Sequence, residues 1–460
     1  MGNKISFIPS NWLYNASVIG FLKVLESFDK HSFEFKDGGE IEIDRETIKK
    51  SYEKIFEYHK THFEEEFKIW GNNKRYPNYI QPKQKDFFEK YYIESLSNVR
   101  EGNSKKCSWC RGYFLSDEEL NSLKKKFSGN FEKFITQREI FQAIHLRELG
   151  GAITEMPNAF WNLKFSIPIC HLCSYLIIFH HFSFCKIDRN TEIFINAPDF
   201  RLIWDLNKFG EIFKEKYEIK EILGLSLLKW AERRKVLLGS WTIMNIEVII
   251  KRSEGGKFFI DYFDLPYSIT KILLDYEIAN LINQINEEKI FELILNGKFT
   301  ELEMVNYYVL KTLLKLKNKE NISQNDPIIK YLSEDKYKKK VYLEKIAKIL
   351  PELYGKILKH LEREVKMNKN IDRLMEKLKA KGTEFSQKEV GKSINDIAYK
   401  LLEQIRLGNK DNVYYLLLRC FVANKEKMPE ELIDVFKLEN DKYFKTLIFS
   451  FLASILGGEV

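Results

Sequence analysis

The chain has 460 residues, of which 44% are hydrophobic, 14% aromatic and 30% charged, with a formal net charge of +8. This composition excludes a disordered or fibrous chain and is ample for more than one folded core. The positive excess is uneven: residues 330–460 hold 27 Lys and Arg against 20 Asp and Glu, whereas residues 1–329 hold 47 against 46. A basic C-terminal third suits either a phosphate backbone or a solvated, lysine-rich helical surface.

In chain order, NWLYNASVIGFLKVLESF (11–28) places Trp12, Leu13, Val18, Phe21 and Leu22 on a helical period, which predicts an amphipathic helix. SFEFKDGGEIEI (32–43) alternates about Asp37-Gly38-Gly39 and predicts a hairpin. Helix is expected from about Arg45 to Trp70. GNNKRYPNYIQPKQK (71–85) reads as a loop. Its Asn72, Asn73, Lys74, Arg75, Tyr76, Asn78, Lys83 and Lys85 interleave charge, amides and an aromatic ring. That mixture suits nucleic-acid contact, and equally a solvated connector. Helix is expected again after CSWC (107–110) as far as Leu149. Asn158 and Asn162 form a second candidate for base-edge contact. EIFINAPDF (192–200) predicts a strand and turn, and residues 208–235 a helix. A hairpin then turns at Ser253-Glu254-Gly255-Gly256. Its Lys251, Arg252, Ser253 and Lys257 are a third nucleic-acid candidate.

Beyond the hairpin, helix is expected to the end. ISQNDP (322–327) is the expected domain boundary, which divides the chain into 1–325 and 326–460. Leu343, Ile346, Ile349, Leu350, Leu353, Ile357 and Leu358 keep a helical period, as do Ile394, Ile397, Leu401, Leu402 and Ile405. The expected fold class is α+β: a mixed N-terminal region with hairpins and a four-cysteine site, then an all-α C-terminal bundle. The N-terminus lacks the charged and apolar regions of a signal peptide. No run reaches the ~18 apolar residues that span a bilayer, and TLIFSFLASIL (446–456) reads as a buried last helix. A cytoplasmic protein without a membrane partner is expected.

Six cysteines are present, and four form two CxxC pairs, Cys107/Cys110 and Cys170/Cys173. Each pair sets two thiolates on one tight turn, and two pairs complete a tetrahedral sulfur site. A structural Zn2+ is expected, with an iron–sulfur cluster or redox dithiols as alternatives. Gly112 sits where a small residue suits the tight turn. The interval 111–169 exceeds ordinary zinc-ribbon spacing, so a helical insertion between the knuckles is expected. His171 is a possible substitute ligand but reads better as a neighbour. His180, His181 and Cys185 read as core.

Enzyme signatures fail on spacing. A zinc deaminase needs H-x-E or C-x-E upstream, and HLRE at 145–148 does not supply it. Gly391-Lys392-Ser393 mimics a phosphate-binding loop, but Ser386 stands where the first glycine belongs. Ser393 with Asp396 reads as a helix cap.

The two separated CxxC pairs, NWLYNASVIGFLKVL, PNAFWNLKFSIPICHLC (157–173) and the basic helical C-terminus together resemble a known family. It is the large subunit of type I CRISPR surveillance complexes (Cascade), and within it the CXXC–CXXC subfamily of subtype I-B. The resemblance spans the whole chain and rests most specifically on Cys107/Cys110 and Cys170/Cys173. It implies a non-catalytic protein that meets the 5′ handle of a guide RNA and reads a short protospacer-adjacent motif on double-stranded target DNA. It further implies assembly with Cascade backbone and other subunits, stabilisation of the opened DNA and recruitment of a helicase–nuclease. Residues 326–460 would resemble the small subunit that lines the strands. The resemblance transfers no catalytic residue. The alternative is a zinc-stabilised nucleic-acid-processing enzyme or regulator outside CRISPR systems.

Overall fold

α1 (Trp12–Phe28) follows β1 (Lys4–Phe7) and is capped by Asn11, whose side chain accepts the Tyr14 N–H. Leu13 through Leu22 are all buried, with Val24 and Leu25. The helix is therefore enclosed along most of its length rather than amphipathic, which corrects the sequence expectation. Its interior polar groups are paired: Ser17 donates to the Leu13 carbonyl at 2.7 Å, and Asn15 donates to Asn196 at 2.9 Å. The computed structural model describes residues 4–63, 85–96, 105–112, 114–126, 131–142, 145, 164, 166–254, 257–361 and 368–457.

The chain divides into two units, Met1–Trp230 with Leu238–Leu265, and Ala231–Leu237 with Pro266–Val460. In the first unit, β2 (Phe33–Phe35) and β3 (Ile41–Asp44) form the expected hairpin, and β1 pairs with β3 to complete a three-stranded antiparallel sheet. Gly39 makes its turn at φ +78°, in the left-handed region glycine favours. α2 (Arg45–His62) follows directly. After α3 (Lys85–Phe87), a π-helical turn (Phe88–Tyr92) and α4 (Ile93–Ser95) come α5 (Asp117–Lys126) and α6 (Phe131–Arg138). The helix expected to run to Leu149 gives way to β4 (Ile140–Gln142), because those residues pair with β5 (Ser166–Pro168). α7 (His171–Leu176) leads into a 3₁₀ segment (Ile177–Ser183) that crosses α1.

A second antiparallel sheet has the order β6 (Cys185–Lys186), β7 (Thr191–Asn196), β8 (Glu247–Glu254), β9 (Lys257–Phe263). The last two are the expected hairpin. β6 is only two residues long, so on that side β7 has no strand partner at Ile195, which pairs with Val248 of β8 on the other. Asn207 on α8 (Phe200–Phe213) takes both orphan groups: its side chain accepts the Ile195 N–H at 2.9 Å and donates to the Ile195 carbonyl at 2.7 Å. The helix expected over 208–235 is broken. α8 ends at Phe213 and α9 (Ile219–Arg234) begins anew, where Glu221 reaches back to the Glu218 N–H at 3.0 Å. A short α10 (Ser240–Met244) precedes β8.

The second unit is helical: α11 (Tyr267–Leu273), α12 (Tyr276–Ile285), α13 (Glu288–Leu295), α14 (Phe299–Lys317), α15 (Glu334–Tyr337) and α16 (Lys340–Leu361). α17 (Asn368–Ser386), α18 (Glu389–Asp396), α19 (Ala398–Arg406), α20 (Lys410–Ala423), α21 (Glu430–Phe436) and α22 (Asp441–Leu456) complete it. α22 is buried from Thr446 to Leu456, as the sequence predicts, and packs against α14, α16 and α17. The division near Leu265 lies well before the boundary expected at 325/326. Residues 322–327 form a tied turn within the unit: Lys315 lies 2.7 Å from Asp326, which also accepts the Ser323 N–H at 3.0 Å. Gly391 is a packing glycine inside α18, where a Cβ would fall 2.0 Å from the Phe385 carbonyl oxygen. Ser393 lies within the same helix and accepts from Asn424 at 2.9 Å, so the expected cap with Asp396 does not form.

The crossing of α1 by the 3₁₀ segment depends on Gly20. A Cβ there would sit 1.9 Å from the Phe179 carbonyl oxygen. Helix propensity alone would make Gly20→Ala stabilising by about 1 kcal/mol. The clash reverses the sign, and a net loss of about 2 kcal/mol or more is expected in urea denaturation of the chain. Gly38→Ala, with nothing within 4 Å, is the neutral control. Equal stability of the two variants would show that the crossing is looser than described.

Candidate metal centre

The first knuckle is a hydrogen-bonded turn. Cys107 N–H donates to the Gly112 carbonyl at 2.8 Å, and Arg111 N–H donates to the Cys107 carbonyl at 3.1 Å. Two further N–H groups point at sulfur: Trp109 to Cys107 Sγ at 3.4 Å and Gly112 to Cys110 Sγ at 3.3 Å. The left-handed residue of this turn is Arg111, at φ 56°, and not Gly112. What Gly112 supplies is its backbone: the carbonyl to Cys107 N–H and the N–H to Cys110 Sγ.

The second knuckle is a helix start. Cys170 is the N-cap of α7, and its Sγ accepts the Cys173 N–H at 3.5 Å. The positive end of the helix and this N–H both favour a thiolate. β5 delivers the knuckle: Ile169 N–H donates to the Glu139 carbonyl at 2.9 Å, and Ser108 N–H in the first knuckle donates to the Pro168 carbonyl at 3.0 Å. The two knuckles are thus joined by backbone before any metal is considered. Between them lie the expected helices, α5 and α6, with β4 and β5. Trp109 closes one side, its ring 4.9 Å from Phe141 and 6.3 Å from Tyr14 of α1.

All four sulfurs lie within 4.8 Å of one another, and Cys110 and Cys170 are 3.6 Å apart. A tetrahedral ion with bonds of ~2.3 Å to sulfur needs edges of ~3.8 Å, so one ion fits. An S–S bond of ~2.05 Å does not. Several irons between the sulfurs would hold them further apart. All four cysteines are buried, Cys110 being the most exposed of them at 8%. His171 is a neighbour, as expected: its Nε2 lies 2.8 Å from the Ser95 hydroxyl and 3.1 Å from the Tyr92 carbonyl. Burial pushes His171 down to about 3, so it stays neutral beside the cluster. His180, His181 and Cys185 are buried in the core. His145 of HLRE is buried too, and burial with the nearby Arg138 charge pushes it down to about 3.

Four thiols this close cannot all ionise on their own. Cys170 is held well above the ordinary thiol range by the Cys107 and Cys110 sulfurs, and Cys173 by burial and the same neighbours. Cys107 is raised by Cys110 but held down on balance by hydrogen bonds from Cys170 and Cys173. A divalent cation at the centre removes the conflict and displaces the protons. Among the described residues, no other group of His, Cys, Asp and Glu is arranged to hold a metal ion.

The nucleic-acid candidates fare differently. Asn72, Asn73, Lys74, Arg75, Tyr76, Asn78, Lys83, Asn158 and Asn162 lie outside the described residues. Lys85 opens α3 and is half-buried. Lys251 turns inward: it is 5% exposed, 3.2 Å from Glu192 and 3.9 Å above the Phe184 ring. A lysine so committed is withdrawn from any phosphate. Alternation along β8 puts Arg252 on the other face, where it is exposed, 3.5 Å from Asp261. Ser253 is half-buried and donates its N–H to the Asn190 carbonyl. Lys257 opens β9, and its side chain lies outside the described set. Sequence reasoning missed Arg111 and the Trp109–Phe141 contact, because neither a positive φ nor a tertiary ring pair leaves a local pattern. No helix among the described residues is long and apolar enough to cross a membrane. No protein-family model, curated protein or solved structure matches this chain.

One ion per chain is expected, bound with proton release. Competition between protons and metal for the thiolates makes affinity rise with pH, and the loaded protein loses metal as pH falls. Calorimetry in buffers of different ionisation enthalpy reads the released protons directly. Binding without proton release, or at more than one equivalent, would contradict the closed four-sulfur site.

Proposed function

We propose that this chain is a non-catalytic, zinc-clasped nucleic-acid-binding scaffold, the large subunit of a type I CRISPR surveillance complex. The observation that carries the reading is the single buried cluster formed by two CxxC pairs so far apart in sequence. These pairs are the most specific part of the resemblance. Zinc suits the site because it accepts four thiolates in a tetrahedron without redox chemistry. A centre closed by four thiolates fastens structure and gives substrate no coordination position. An α+β unit and a helical unit are compatible with a two-part organisation, although the division falls near Leu265 and not at 325/326. In this reading the chain works in a reducing cytoplasm with a guide RNA, backbone subunits, target DNA and a helicase–nuclease. It reads the adjacent motif and steadies the opened duplex.

The test is co-expression with a repeat-derived guide RNA and the backbone subunits. The chain is expected to co-purify with both, to carry one zinc and to show no nuclease activity of its own. Cys110→Ser with Cys173→Ser is expected to lose the metal and to leave the complex. Within an assembled complex, Lys74→Ala with Arg75→Ala is expected to weaken target-duplex binding about tenfold while assembly survives, read by gel shift. Failure to co-purify with RNA, or metal-dependent cleavage by the isolated chain, would refute the reading.

A further inference from the structure

The first unit holds a cleft of about 1150 Å³, which among the sequence candidates only Lys251 reaches, through its pairing with the lining residue Glu192. The last turns of α1, α2 and α8 line it, together with β6 and the turn that follows. This is larger than the ~300–1,000 Å³ typical of a pocket for one small molecule. Its charges are unbalanced in an ordered way. Each carboxylate has its own lysine: Glu211 lies 2.6 Å from Lys23, Glu26 lies 2.7 Å from Lys208, and Glu192 lies 3.2 Å from Lys251. Four lining cations remain, Lys30, Lys186, Arg189 and Lys214, and no carboxylate among the described residues forms an ion pair with them. Three are exposed and Lys214 is half-buried. The three helix C-termini each contribute about −0.5 of a charge, so the surplus stays near about +2.5.

The cleft also has an aromatic wall. His62 is exposed and stacks on Tyr58, with ring centroids 4.1 Å apart and planes 17° from parallel. Tyr58 in turn rests edge-on against buried Phe182 at 5.1 Å. A braced, exposed ring beside unpaired cations combines the two elements of single-strand recognition, stacking and phosphate attraction. A duplex hides its bases and could use only the cations.

We infer that this cleft binds a short stretch of single-stranded nucleic acid, with Lys30, Lys186, Arg189 and Lys214 on the phosphates and His62 against a base. The inference rests on the nucleic-acid-binding reading above and adds a site to it. The test uses the full, metal-loaded chain and labelled single-stranded RNA and DNA of about ten nucleotides, followed by fluorescence anisotropy across a salt series. The combined variant Lys30→Ala, Lys186→Ala, Arg189→Ala and Lys214→Ala is expected to bind at least about tenfold more weakly. Its salt slope should flatten by up to about 0.7 per cation removed. His62→Ala is expected to weaken binding about fivefold or more with the slope unchanged, which a lost phosphate contact would not do. Unchanged metal content shows that each variant is folded. Wild-type affinity in the four-cation variant would overturn the cleft while leaving the scaffold reading intact. Equal competition by duplex DNA, or full affinity in His62→Ala, would overturn the single-strand assignment. If the wild-type chain binds no single strand and the assembled complex binds no target duplex, both readings fall together.

Discussion

Four thiols packed within 4.8 Å, all buried, cannot share that space as anions unless a cation sits among them. The first unit is arranged around this constraint. One knuckle is a loop turn and the other a helix N-terminus, so each supplies N–H groups to the sulfurs before a metal arrives. The backbone joins them through Ser108 and Pro168, and β4 pairs with β5 at the same place. Metal binding then closes a loop of some sixty residues, the 60-residue separation of Cys110 and Cys170. Closing a long loop restricts the unfolded chain more than closing a short one, though only logarithmically.

The same segment carries the load inward. From Cys170 the chain runs through α7 and the 3₁₀ segment with every residue to Cys185 buried. Midway it crosses α1 at Gly20, where there is no room for a Cβ. α1 is thus enclosed on one side by a stretch whose start is fixed by the sulfur cluster, and on others by α2, α8 and β7. A helix surrounded in this way need not be amphipathic, because only its ends and last turns meet water.

Sequence legibility followed from how local each cause is. The CxxC pairs, the two hairpins and the long helices of the second unit are local patterns, and all were readable. The closed geometry of the cluster followed from thiolate chemistry. What misled were patterns whose meaning is set by distant contacts. α1 has apolar residues on a helical period, yet its small and polar positions are buried as well, because Asn15 and Ser17 find partners inside. The polar run at 322–327 has the composition of a linker, but Lys315 ties Asp326 back to α14. Ser393 with Asp396 has the pattern of a helix cap, but Ser393 lies inside α18 and accepts from Asn424. Lys251 sits in a basic hairpin turn by sequence, and strand alternation turns it inward to Glu192. The cleft cations were invisible for the same reason: Lys30, Lys186, Arg189 and Lys214 come from separate elements and converge only in the fold.

The clasp and the cleft are mechanically one arrangement. Phe182, which braces Tyr58, and Lys186 on the rim both lie on the run that begins at Cys170. Between the sulfur cluster and the cleft there is no loop to absorb a displacement. The intervening residues are helical or 3₁₀, buried, and pinned across α1. Interiors packed this densely transmit a shift rather than dissipate it. On the proposed reading, a closed metal centre would therefore still set the geometry of a recognition surface. It would do so by fixing where one continuous segment starts, and the aromatic wall of the cleft is where that segment emerges.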